Sequence, residues 1–141
     1  MTNRHPFEIL FTDGSVKTVL MDSISYVAPD NRGDIIISGS HGGTSSAGYA
    51  IDGRVAAAFF NDAGGGKNNA GIRGMEELEK NGIIAVAVSH ASAEIANAAD
   101  TYACGIVSHV NGLAGKAGIS PGMRAAEAVA VLRSYLKPQE S

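Results

Sequence analysis

Asp34-Ile35-Ile36-Ile37-Ser38-Gly39-Ser40-His41-Gly42-Gly43 is a short apolar run that gives way at once to serine, glycine and histidine. A continuous run of this length, without polar alternation, is what a strand buried on both faces looks like. Three more runs follow: Val55 to Phe60, Ile83 to Val88 and the shorter Gly105 to Val110. The segments between them carry helical spacing. Ser45 to Ile51 is short. Ala70 to Lys80 repeats Ile72, Met75 and Leu78 and stops at Asn81-Gly82. Ala93 to Ala103 presents Ile95, Ala98, Ala99 and Tyr102 on one face, with Ser92 as its N-cap. A last helix is predicted over residues 123–136, its apolar face being Ala125, Ala128, Val129, Leu132 and Leu136.

Upstream, Phe7 to Phe11 alternates weakly, meets Asp13-Gly14 and resumes at Val16 to Met21, which predicts an N-terminal β-hairpin within residues 7–27. Strands alternating with helices over residues 34–137 imply right-handed crossovers. The expected fold is a single α/β domain over residues 1–141, a Rossmann-like three-layer α/β/α arrangement with a mostly parallel sheet.

Composition narrows the function. The chain has 141 residues, 45% of them hydrophobic, enough for a core. Only 18% are charged, and such a chain, rich in Ala and Gly, suggests surface hidden in a homo-oligomer. A net charge of −3 with scattered basic residues excludes a nucleic-acid footprint. No apolar run reaches the length of a membrane span, and residues 1–6 lead into no signal-peptide core. Cys104 is alone, so no internal disulfide forms, and a reducing cytoplasm is expected.

The strand exits carry the chemistry. They read Ser40-His41-Gly42-Gly43, Asn61-Asp62-Ala63-Gly64-Gly65-Gly66-Lys67, Ser89-His90 and Ser108-His109-Val110-Asn111. Three of the four pair Ser with His. Ligands of open parallel sheets bind outside the carboxyl ends of the strands, so these residues are expected to line one site. Neutral-range imidazoles suit acid–base catalysis. The expected catalytic residues are His41, Asp62, His90 and His109, with His41 first because glycine backbone donors flank it. Ser40, Gly42, Gly43, Asn61, Gly64, Gly65, Gly66, Lys67 and Asn111 are the expected substrate-binding set. Gly64 to Gly66 with Lys67 can cradle a carboxylate or phosphate. A blander reading stands beside each: Ser92 and Asn111 are good helix caps, and Lys67 can be a solvated loop tip.

Other chemistries are less well matched. Asn61 and Asn68 stand where a Walker A loop needs Gly and Ser/Thr, and no dinucleotide fingerprint is present. Ser38 replaces the upstream Gly that a nucleophile elbow at Ser40 requires. Cys104 precedes the last strand and is expected at the sheet end opposite the site. No organic cofactor is expected. His41, His90, His109 and Asp62 are nonetheless candidate ligands for a divalent metal such as zinc. Gly42-Gly43-Thr44-Ser45-Ser46 loosely resembles the Gly-Cys-Gly-Ser-Ser turn of aconitase-type swivelling domains, but it lacks the cysteine, and Ala47 replaces the following arginine. Residues 83–110 resemble the rhythm of B-type ribose-phosphate isomerases without their catalytic cysteine. Neither likeness transfers a residue.

The sequence thus leads to an enzyme for a small anionic or amide metabolite, a hydrolase or lyase before an isomerase. A non-catalytic ligand-binding or regulatory subunit, or the small subunit of a larger enzyme, is the alternative.

Overall fold

A computed structural model describes residues 7–64 and 71–136. Six strands, β1 (Phe7–Asp13), β2 (Val16–Met21), β3 (Ile35–His41), β4 (Ala57–Asn61), β5 (Ile84–Val88) and β6 (Val107–Val110), form one sheet. Their spatial order is their chain order. The hairpin is present: β1 and β2 are antiparallel, closed by the pair Asp13 and Val16, with Gly14 at φ 62° in the turn. The pairs β2–β3, β3–β4 and β4–β5 are parallel.

The expectation of a mostly parallel sheet fails at β6, which runs antiparallel to β5. The fold is α/β with a mixed sheet. The cause lies in residues 89–105. After β5 the chain stays at the carboxyl end of the sheet: the Asn61 amide donates to Ala93 O, Ala96 N–H to Gly39 O, and Ala98 N–H to Asp22 Oδ1. Gly39 permits this crossing, because a Cβ there would lie 2.2 Å from Asn97 N. Helix α3 (Ala98–Cys104) then has only seven residues. At about 1.5 Å per residue it covers roughly 10 Å, too little to return the chain to the start of a strand about 16 Å long. Gly105 therefore arrives beside Val88, and β6 has to run the other way.

Ser92 does not cap α3. Its hydroxyl donates to Ser89 O and accepts from Ile106 N–H, and Asn97 caps the helix by accepting from Asp100 N–H. The other helices are α1 (Thr44–Gly53), α2 (Met75–Lys80), α4 (Gly112–Ala117) and α5 (Ala125–Tyr135). Helix α4 forms where the glycine-rich composition after Asn111 predicts a connection.

Side chains alternate between two apolar clusters, one on each face of the sheet. Ile35, Ile37, Phe59, Val86 and Val88 meet Ala98, Ala114, Ala125, Ala128 and Leu132 of α3, α4 and α5. Ile36, Ala58, Phe60 and Ala85 meet Ala47, Ala50, Met75 and Leu78 of α1 and α2, with Ile24 from the β2–β3 connection. Strand order explains this division. Right-handed crossovers that always step in the same direction put every connection on one face, so only the chain beyond β5 remains to cover the other. The order never reverses, and the sheet has no topological switch point of the kind that defines the ligand crevice in doubly wound folds.

Candidate functional site

The cluster of interest forms at the corner where β4, β5 and β6 meet. Asp62 directly follows β4 and extends its pairing by donating its N–H to Val88 O (2.8 Å). The residue is 6% exposed. Its Oδ1 accepts from Gly64 N–H at 2.8 Å and from His90 N–H at 3.0 Å. The left-handed Ala63, at φ 53°, turns the following peptide so that the Gly64 amide reaches the carboxylate, and Gly64 itself is left-handed at φ 75°. The Ser108 hydroxyl also favours the charged form of this carboxyl.

Two imidazoles face this carboxylate. His90 Nδ1 stands 3.4 Å from Oδ1, and His109 Nδ1 stands 3.9 Å from Oδ2. The first contact is longer than a good hydrogen bond and the second is purely electrostatic. His109 Nδ1 is also 3.0 Å from Ser108 Oγ. The His90 ring lies over Gly64, where a Cβ would come within 3.4 Å of its Cε1. Burial alone raises the Asp62 carboxyl. The Ser108 hydroxyl, the hydrogen bonds from Gly64 and His90, and the charge of His90 outweigh that and hold it below the ordinary carboxylate value. Asp62 is thus an anion in place beside two rings whose Nδ1 atoms are turned toward it.

The remaining expected residues are placed as follows. His41 ends β3 as the register partner of Asn61, on the same sheet edge as Asp62, with its side chain exposed. Among the described residues its ring takes part in no hydrogen bond or ion pair. Ser40 Oγ accepts from Ile24 N–H at 3.0 Å. Gly42 donates to Gly71 O and accepts from Gly74 N–H, so its backbone is engaged by the chain itself. Gly43 is the N-cap residue of α1 and its carbonyl accepts from Ala47 N–H. Asn61 is fully buried, donating to Ala93 O and accepting from Ala63 N–H. Gly65, Gly66 and Lys67 lie outside the described residues.

Two placements differ from expectation because β6 is reversed. Asn111 lies at the opposite, amino-terminal end of the parallel strands. Its Oδ1 accepts from Ala85 N–H and Ala114 N–H, and its Nδ2 donates to Ile83 O. Its polar atoms are spent within the fold, as a cap of α4 should spend them. Cys104, expected at the far end, is instead at the carboxyl end and exposed. A hydrogen bond and the charge of Asp100 push its thiol up, away from the nucleophilic thiolate.

Ser108 is the residue that the sequence reading missed. Its signal was the third Ser-His pair, which was read for the histidine alone. A metal is poorly served here. Among the described residues no three His, Cys, Asp or Glu side chains gather in a way that could hold one. Two clefts of about 640 and 470 Å³ open around Asp52 and Arg54, at the other end of the sheet. Neither is lined by an imidazole. Comparisons with protein-family models, with curated proteins and with solved structures find no match.

Proposed function

We propose that this chain is an enzyme that acts on a small polar metabolite bearing a carboxylate, amide or phosphate, by histidine acid–base chemistry at the Asp62 cluster. Hydrolysis and elimination are favoured over isomerisation. The observation that carries the reading is one buried carboxylate facing the Nδ1 atoms of two imidazoles. A carboxylate can only accept. It therefore favours the Nδ1–H form of each ring and stabilises the imidazolium that forms when Nε2 takes up a proton. Either ring can then remove a proton from the substrate or from water, and either can return one to a leaving group. His90 and His109 replace His41 as first choice, because only they meet the carboxylate.

The imidazoles are open to solvent, with His90 and His109 side chains 61% and 45% exposed. Acid–base steps gain from a site closed to water. This openness supports a second reading, in which another copy or a larger subunit completes the site, in keeping with the low charge of the chain. A cytoplasmic setting, suggested by the lone Cys104, belongs to the same proposal.

The test is a panel of small carboxylates, amides and phosphate esters incubated with the protein in D₂O and followed by proton NMR. Turnover should appear with the wild type. It should fall by on the order of 10²–10⁴ in Asp62→Asn, His90→Asn or His109→Asn if these groups transfer protons. Undiminished turnover in all three would remove the cluster from the mechanism, and binding without turnover would favour the non-catalytic subunit.

A further inference from the structure

We infer that Ser108 is a positioning residue that fixes the proton of His109 on Nδ1, making Nε2 the proton acceptor presented to a substrate. The inference rests on the acid–base reading of the cluster and adds the residue that fixes, by a hydrogen bond, the His109 tautomer that the carboxylate favours only through space at 3.9 Å.

Ser108 Oγ makes two hydrogen bonds, to Ala87 O at 3.3 Å and with His109 Nδ1 at 3.0 Å. A hydroxyl has one proton to give. The Ala87 carbonyl can only accept. Were the proton directed at His109 Nδ1, the carbonyl oxygen of the fully buried Ala87 would face a serine lone pair in place of a donor, which is costly away from water. With the proton on the Ala87 side, both contacts have a donor and an acceptor. Ser108 Oγ then offers a lone pair to the ring, and the 3.0 Å contact needs a hydrogen on Nδ1. The Asp62 Oδ2 at 3.9 Å favours the same tautomer through space.

The local fold makes the chain of contacts specific to one ring. Ser108 and His109 are adjacent on β6, so the serine is held by the strand that carries the histidine. His90 approaches the other carboxylate oxygen, Oδ1, and among the described residues the hydrogen bonds of the Ser108 hydroxyl go to Ala87 and His109. The two rings should therefore differ in their response to Ser108.

Tautomers are read directly by long-range proton–nitrogen correlation NMR of ¹⁵N-histidine-labelled protein, at about pH 8.5, where unperturbed imidazoles are neutral. No substrate is needed. In the wild type His109 should appear as the Nδ1–H form. Ser108→Ala should shift it toward the Nε2–H form that an unconstrained histidine prefers, while His90 keeps its wild-type pattern. Ser108→Thr, which keeps the hydroxyl and suits a strand, should restore the Nδ1–H form. A wild-type His109 found as Nε2–H, or a tautomer that does not change in a folded Ser108→Ala protein, would overturn the assignment. Should Ser108→Ala not fold, the wild-type and Ser108→Thr spectra decide alone: both must show Nδ1–H. Failure of the enzyme reading is separate. An Nδ1–H His109 in a protein without turnover sinks the reaction and leaves the tautomer, and turnover with an Nε2–H His109 does the reverse.

Discussion

Thr18 lies in β2 with no exposed surface, and among the described residues its hydroxyl is the buried side-chain oxygen without a hydrogen-bond partner. An unmet buried hydroxyl keeps its desolvation cost, and an apolar group of the same shape removes it. Thr18→Val is therefore expected to raise stability by about 1 kcal/mol, read as a higher urea midpoint with an unchanged slope. The contrast with Asp62 is instructive, since residue type says what a group can donate or accept but not which partner takes it up. The histidines at strand ends, and Asp62 beside them, were legible because apolar runs mark where strands stop. Ser40, Asn61 and Gly42 look the same in sequence, yet their polar atoms are taken by Ile24, Ala63, Ala93, Gly71 and Gly74. Apart from Ala63, two residues on from Asn61, those partners come from distant parts of the chain, and no local pattern announces them.

Strand β6 and helix α4 are joined through Asn111, whose side chain holds Ala85 N–H of β5 and the carbonyl of Ile83 just before it, and caps α4 at Ala114 N–H. Asn111→Ala removes a cap worth about 1 kcal/mol and strands a buried amide and carbonyl at about 1–3 kcal/mol. A combined loss of about 2–4 kcal/mol is expected in chemical denaturation, with the histidine tautomers unaffected because Asn111 is remote from Asp62. Elements with strong periodicity were readable: the hairpin, β3 to β5, α1 and the buried face of α5 all stand near their expected places. The helix expected over residues 93–103 was shortened at its front. There the apolar spacing competes with the need to cross Gly39, and Ala96 takes a left-handed φ of 65° that ends any helix before it starts. The direction of β6 was illegible for the same reason. A strand's sequence does not encode which way it runs, and the crossing that decides it is a tertiary contact. Helix α4 carries glycine at two of its six positions, which hid it from propensity.

At the scale of the molecule, a sheet whose order never reverses leaves its carboxyl end without a built-in crevice, and residues 93–98 cover the exits of β2 and β3. At the β4–β5–β6 corner the two imidazoles are exposed, and the antiparallel return of β6 brings His109 to Asp62. The arrangement ties global stability to a group of the site. Asp62 titrates below the ordinary carboxylate value in the folded chain, because the Ser108 hydroxyl and the hydrogen bonds from Gly64 and His90 outweigh the cost of its burial. In the unfolded chain it titrates normally. As pH falls, the unfolded state therefore takes up the proton first, and folding loses support. The contribution is fully present above the unfolded value and disappears as pH drops through the lower folded one. Other carboxylates also titrate in this range, but they are common to wild type and Asp62→Asn, so the difference between the two proteins isolates Asp62. At neutral pH the wild type should be more stable by about 1.5–3 kcal/mol, the range for hydrogen bonds to a charged group. The gap should hold down to the ordinary carboxylate range and then close below it. Urea denaturation of both proteins at a series of pH values measures it. A gap that is constant with pH would mean that the Asp62 carboxylate is no better satisfied in the folded chain than in water, and the electrostatic basis of the histidine cluster would go with it.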